Sequence, residues 1–207
     1  LSMAERGAYL RRFADALRAD GERLARIDAM DSGNPLPNMR NDLEYGADSL
    51  GYFAGSAREL QGKNLPATAS GLHMTLREPY GVVARILPFN HPLMFTAYHI
   101  AAPLMAGNTV VVKAPDQTPV SPLEVAYIAA EILPEGVLTV ITGDGPTTGE
   151  ALVAHPDVRR IGFTGRRETG LRVMQAAAES GVLKHVTVEL GGKNPLLVLP
   201  DAEPEYV

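Results

Sequence analysis

From residue 82 onward the chain alternates short apolar, β-branched runs with stretches of helical period, and that alternation leaves few folds open. Val82–Leu87, Thr109–Lys113, Val137–Ile141, Arg160–Phe163, Val186–Glu189 and Leu196–Leu199 read as strands. Pro92–Ala106, Pro122–Leu133, Thr147–Ala154 and Glu168–Glu179 read as helices between them. Strands that alternate with helices imply right-handed crossovers and a parallel sheet, hence an α/β fold. The strands are apolar at nearly every position, as a sheet covered by helices on both faces requires.

Residues 1–64 read as a helical segment ahead of this sheet. Ala4, Ala8, Leu10, Phe13, Ala14 and Leu17 fall near one face of a helix over Ser2–Ala19. Gly21 interrupts it, Glu22–Met30 resumes, and Asp31-Ser32-Gly33-Asn34-Pro35 is a strong stop. Asn38–Gln61 is a third helical run, with Gly46, Gly51 and Gly55 as weak points or close-packing sites. Leu72–Glu78 alternates weakly and reads as a strand leading out of the helices, and residues 65–80 form a segment of their own between the helical part and the sheet. The sheet region is then residues 81–207.

Composition narrows the functional classes. Hydrophobic residues make up 45% and charged residues 21% of the 207, which excludes a wholly disordered chain. A net charge of -5 disfavours a general nucleic-acid binder. No apolar run is long enough for an ordinary membrane helix, and no signal-peptide pattern opens the chain, so the cytoplasm is the default compartment. There are 0 cysteines, so disulfides, cysteine-held metals and a cysteine nucleophile are excluded within these residues. No metal site is expected.

In a parallel sheet, ligands bind beyond the carboxyl ends of the strands. Five loops there hold unusual residues. In Pro88-Phe89-Asn90-His91-Pro92 two prolines fix the path into a helix, and Asn90 is either an amide donor for a developing oxyanion or only a helix cap. His91, Met94, Phe95 and Tyr98 share a helical face with Asn90 and form either a pocket wall or a core stripe. Lys113 and Asp116 converge after the second strand, where they either grip ribose hydroxyls or form an exposed ion pair. Gly143, Gly145 and Gly149 give a glycine turn between strand and helix, and Gly165 with Gly170 opens the next helix. Such glycines admit a pyrophosphate, though tight turns use them as well. In Glu189-Leu190-Gly191-Gly192-Lys193 a carboxylate ends an apolar strand. It is either a general base sharpened by desolvation or a salt-bridge partner of Lys184 or Lys193.

PFNHP, KAPDQTP, the Gly143 loop, FTGRRETG and ELGGK, in this order and spacing, resemble the aldehyde dehydrogenase superfamily over nearly the whole chain. The resemblance implies a Rossmann-like dinucleotide-binding domain preceded by a helical segment, with the family's catalytic domain missing. It implies oxidation of an aldehyde to a carboxylic acid with NAD or NADP. In the family a cysteine thiolate attacks the aldehyde, an asparagine amide stabilises the oxyanion, and a glutamate activates water against the thioester. The matching residues are Asn90 and Glu189. Lys113 and Asp116 match the residues on the adenosine ribose, and Gly165 and Gly170 match the helix start facing the pyrophosphate. Leu87, Phe89, Gly143, Gly145, Gly149, Arg166 and Leu190 complete the expected cofactor-binding set. His91, Met94, Phe95 and Tyr98 match the aldehyde channel, and Leu72–Tyr80 matches a projecting segment used in subunit contacts, which implies a dimer or tetramer.

The departures are specific. The family's nucleophile lies a few tens of residues beyond ELGGK, whereas this sequence runs 18 residues past Glu189, so the missing cysteine is read as truncation and the chain as given is expected to be inactive. Phe89 replaces the usual tryptophan. Asp116 replaces the usual glutamate; a carboxylate there favours NAD without excluding NADP. Arg166 stands where serine is common. Two other readings remain open: a non-catalytic dinucleotide-binding or interaction module, and a member that passes the acyl group to coenzyme A.

Overall fold

The structure, a computed structural model, describes residues 1–203 and 205. At its centre is a five-stranded sheet of order β3-β2-β1-β4-β5, parallel at every pairing. The strands are β1 (Val82–Ile86), β2 (Thr109–Lys113), β3 (Leu138–Ile141), β4 (Val158–Gly165) and β5 (His185–Leu190). The chain moves outward from β1 to β3, then returns to lay β4 on the other side of β1. That reversal puts the carboxyl ends of β1 and β4 side by side.

Helices cover both faces, as the apolar strands demand. On one face α4 (Pro92–Met105) and α5 (Val120–Ala130) join α1 (Met3–Ala19), α2 (Gly21–Ser32) and α3 (Leu36–Gly55) in a single cluster around Phe13, Leu50 and Ile100, with Val110 and Val112 supplied by β2. On the other face α6 (Glu150–Ala154) and α7 (Arg167–Glu179) close over Ala84, Ile161 and Phe163. The first helix opens with a capping box: the Glu5 N–H reaches the Ser2 hydroxyl at 3.3 Å and the Ser2 N–H reaches the Glu5 carboxylate at 2.6 Å. Of the three glycines on α3, only Gly46 marks a close approach. A Cβ there would lie 2.7 Å from the Ala97 Cβ of α4, while Gly51 and Gly55 face open space.

Several expected elements shift. Gly21 does not leave a gap but begins α2, with Asp20 as the single residue between α1 and α2. The third helix begins at Leu36, directly after Pro35, and ends at Gly55 in a short 3-10 turn (Ser56–Arg58). The helix expected over Thr147–Ala154 is divided into a five-residue π-turn at Gly145–Gly149 and α6. Leu72–Glu78 is not a strand of the sheet. Residues 61–80 fold back on themselves, with bridges Asn64↔Met74 and Thr68↔Gly71. Leu196–Leu199 forms no strand either. β5 is an edge strand, so no neighbour takes up the backbone of this run, and Leu196 and Leu197 are exposed. No helix among the described residues is long and apolar enough to cross a membrane.

Candidate active site

The loops after β1, β4 and β5 meet where the strand order reverses, the place where such sheets hold ligands. They enclose a cleft of about 590 Å³ lined by Pro88 and Asn90 from the first loop, Thr164 and Gly165 from β4, and Glu189, Leu190 and Gly191 from β5 and the loop after it. Phe95, Tyr98 and His99 of α4 form its wall. Asn90 and Glu189 therefore share one cavity, although 99 positions separate them in the sequence. Thr164 is the register partner of Glu189, so the β4–β5 ladder fixes where that carboxylate stands.

The loop that carries Asn90 is held from outside. Thr118 Oγ1 donates to the Phe89 carbonyl at 3.1 Å, Asn34 Nδ2 donates to the Asn90 carbonyl at 2.6 Å, and His91 Nδ1 lies 2.6 Å from Asp42 Oδ2. The N-cap of α4 is His91, and no side chain caps it. Asn90 is therefore not the helix cap. Glu189 is exposed and forms no salt bridge among the described residues, because Lys184 lies at the far end of β5 and donates to the His155 carbonyl at 2.5 Å. The desolvation expected at Glu189 is absent from this chain, since β5 is an edge strand with no neighbour to cover its end.

The rings of α4 stack along one side of the cleft. Phe95 and His99 lie nearly parallel with centroids 5.4 Å apart, Tyr98 packs on His99 at 5.0 Å, and Tyr45 of α3 backs Tyr98 at 5.7 Å. His91 and Met94 do not line the cleft. His91 turns to Asp42 on α3, and Met94 sits where α4 crosses Gly46 of α3.

Behind Glu189 a smaller cavity of about 190 Å³ shares Tyr98, His99, Thr164 and Glu189 with the cleft and adds Arg85. Burial, together with the Arg85 charge, pushes His99 down to about 4, so its ring is neutral near pH 7. Burial, with repulsion from Arg160, pushes Arg85 down to about 10. Neither residue was singled out from the sequence. The available signal was a basic residue inside an apolar run, Arg85 in Val82–Ile86 and His99 in Pro92–Met105.

The expected cofactor residues lie along the carboxyl edge of the same sheet. Leu87 is buried just after β1, and Phe89 is exposed beside the cleft. Lys113, the last residue of β2, is buried and pairs through Nζ with the exposed Asp116 carboxylate. Gly143 takes a φ of 130°, and the Thr147 N–H donates to Asp144 at 2.6 Å, a bond that holds the Asp144 carboxyl below its usual range. On the α6–α7 face a cleft of about 260 Å³ runs between Gly145, Pro146 and Gly149 and the residues Thr169 and Arg172. Arg166 is the exposed N-cap of α7 and makes no side-chain cap bond, so the first N–H groups of that 13-residue helix are not met by a cap. Gly170 sits under Leu190: a Cβ there would meet Leu190 Cδ2 at 2.7 Å. The residues thus offer an acid–lysine pair, a glycine turn and a helix start, all at the carboxyl edge of one sheet.

The sequence profile of the aldehyde dehydrogenase family matches residues 1–207. The chain belongs to the aldehyde dehydrogenase family. It is 41% identical over 209 residues to the aldehyde dehydrogenase tropH of Talaromyces stipitatus, covering 100% of this chain and 40% of that protein. It is 42% identical to retinaldehyde dehydrogenase 3 of Mus musculus, covering 98% and 40%. Among solved structures it superposes on PnpE from Pseudomonas sp. WBC-3 with a TM-score of 0.89, at 40% identity, over 93% of this chain and 39% of that one. A second structure of PnpE, in complex with nicotinamide adenine dinucleotide, matches equally well at TM-score 0.89. The chain spans about 40% of the length of the curated relatives it matches.

Proposed function

We propose that this chain is the dinucleotide-binding part of an NAD(P)-dependent aldehyde dehydrogenase that oxidises an aldehyde to a carboxylic acid through a cysteine thioester. The observation that carries the reading is the shared cleft of Asn90 and Glu189 at the point where the strand order reverses. In this reading the Asn90 amide donates to the oxygen of the attacked aldehyde as its negative charge develops. Glu189 takes a proton from the water that later releases the acid. Phe95 and Tyr98 hold the apolar part of the aldehyde against α4.

The cofactor residues fit a dinucleotide. Lys113 and Asp116 would hold the adenosine ribose, and Gly165, Arg166 and the start of α7 the pyrophosphate. Leu87, Phe89 and Leu190 would flank it on the cleft side, and Gly143, Gly145 and Gly149 on the other. Bound there, the nicotinamide supplies a hydride acceptor. The Asp116 carboxylate disfavours a 2′-phosphate, so NAD is the preferred cofactor, and the complex described for PnpE is with that dinucleotide. The attacking thiolate belongs outside these residues, because the chain has 0 cysteines, and the 207-residue chain alone is expected to bind dinucleotide without turnover. The arm at residues 61–80, with Leu65, Leu72, Met74 and Leu76 exposed, is the segment through which copies would associate as a dimer or tetramer.

The test joins this chain to a cysteine-bearing family domain in the longer polypeptide and compares Asn90→Ala with Glu189→Gln. Asn90→Ala lowers kcat roughly 100- to 1,000-fold, the usual effect of losing one oxyanion donor. Glu189→Gln keeps a first burst of NADH but loses steady turnover, because acyl transfer survives and hydrolysis does not. Wild-type steady turnover in both variants would overturn the assignment.

A further inference from the structure

We propose that His91 and Asp42 form a positioning pair for Asn90, acting through the loop and not by contact with substrate; the proposal rests on the reading of Asn90 as the oxyanion donor. His91 joins the loop to α4 with φ −141° and ψ 64°, dihedrals that belong neither to the helix it starts nor to an extended strand. No side chain caps it locally. The bond that fixes it comes from Asp42 on α3, 49 residues earlier in the sequence, at 2.6 Å.

The support behind that bond is buried and closely packed. Asp42 is only 9% exposed, and its neighbours Met39, Leu43 and Ala47 on α3 are buried. One helical turn further on, α3 and α4 approach so closely that a Cβ at Gly46 would lie 2.7 Å from the Ala97 Cβ of α4. The His91 ring is held from its other side by Phe95, edge-on at 6.2 Å. A short bond from imidazole to a shielded carboxylate is among the stronger side-chain hydrogen bonds.

The three residues Phe89, Asn90 and His91 are thus each tied to a different segment outside the loop: Thr118, Asn34 and Asp42. The ties at 89 and 90 take backbone carbonyls. The Asn90 side-chain amide has no bond among the described residues and stands at the cleft. Asn90 is exposed, so its amide is open to a molecule that enters the cleft. A backbone anchored on three sides around a free amide is the arrangement a preorganised donor needs.

The test is a double-mutant cycle in the longer enzyme. Asp42→Ala removes the acceptor, His91→Phe keeps a ring without a donor, and His91→Asn returns an amide donor near the Nδ1 position. Asp42→Ala and His91→Phe are each expected to lower kcat 10- to 100-fold, with the KM for NAD unchanged and most of the loss recovered in His91→Asn. In an Asn90→Ala background the same substitutions should cost nothing further, because the pair acts only through that amide. The same fold-loss in both backgrounds, or unaltered kcat in Asp42→Ala, overturns the proposal. Should Asp42→Ala fail to fold, the His91→Phe cycle decides alone. A wild-type enzyme that oxidises no aldehyde would instead sink the functional reading, a result separate from any variant.

Discussion

Asp28 of α2 is fully buried; the Ser121 hydroxyl at the start of α5 donates to its Oδ1, and its Oδ2 has no hydrogen-bond partner among the described residues. Burial pushes its carboxyl from 3.8 up to about 6; the Ser121 hydroxyl and the Leu93 N–H oppose the shift, and the charges of Asp42 and Asp31 add to it. The folded value therefore exceeds the unfolded one. The stability this group contributes is fully present below 3.8 and is lost as pH rises through about 6. At about 1.4 kcal/mol for each tenfold change, moving from 3.8 to about 6 amounts to roughly 3 kcal/mol. Asp28→Asn keeps a carbonyl for Ser121 but cannot ionise. The assay is urea unfolding of wild type and variant at intervals from pH 4 to pH 8. The stability of the variant relative to wild type should grow by about 2–3 kcal/mol across that range, whatever its sign at pH 4. A difference that stays constant within about 0.5 kcal/mol would refute the claim that Asp28 is buried at the expense of its charge.

Two further perturbations probe the cofactor side. Asp116→Asn removes the carboxylate opposite Lys113 and should raise affinity for NADP relative to NAD about tenfold, read by fluorescence titration of both cofactors; an unchanged ratio would place Asp116 away from the ribose. Gly170→Val forces a branched side chain into Leu190 Cδ2 at 2.7 Å and should lower stability by about 1–3 kcal/mol while weakening dinucleotide binding. The control Gly51→Ala, whose Cβ meets nothing within 4 Å, should raise helix stability by about 0.5–1 kcal/mol in the same unfolding assay.

What the sequence exposes is what period and turn chemistry control. The four strands between Val82 and Phe163 and the edge strand β5 follow from β-branched runs bounded by Gly, Pro and Asp, and each falls within a few residues of its expected place. The elements that failed depend on neighbours. Leu196–Leu199 has the composition of a strand, but a strand exists only beside another, and nothing in a local window reports that β5 is the sheet's edge. Residues 72–78 alternate as a strand should, yet they bond back to 63–65 in an arm of their own. The same limit hid Asn34, Asp42 and Thr118. Each reads locally as turn or helix polarity, and only the packing of α2, α3 and the loop before α5 brings them to the Asn90 loop.

His91 shows where a helical rule loses its ground. Spacing places it on the same face as Phe95 and Tyr98, and that holds for residues whose dihedrals are helical. At φ −141° and ψ 64° His91 precedes the first helical residue, so its Cβ leaves the backbone in a direction the 100° wheel does not describe. Met94, three residues on, does not line the cleft: its backbone lies where α4 crosses Gly46 of α3, and period alone does not say which side of an apolar helix meets which partner. The cleft wall is therefore drawn from Phe95, Tyr98 and His99, the last of these unforeseen. The residue that left the wall gained a carboxylate partner on α3 and with it a hold on the loop that carries Asn90.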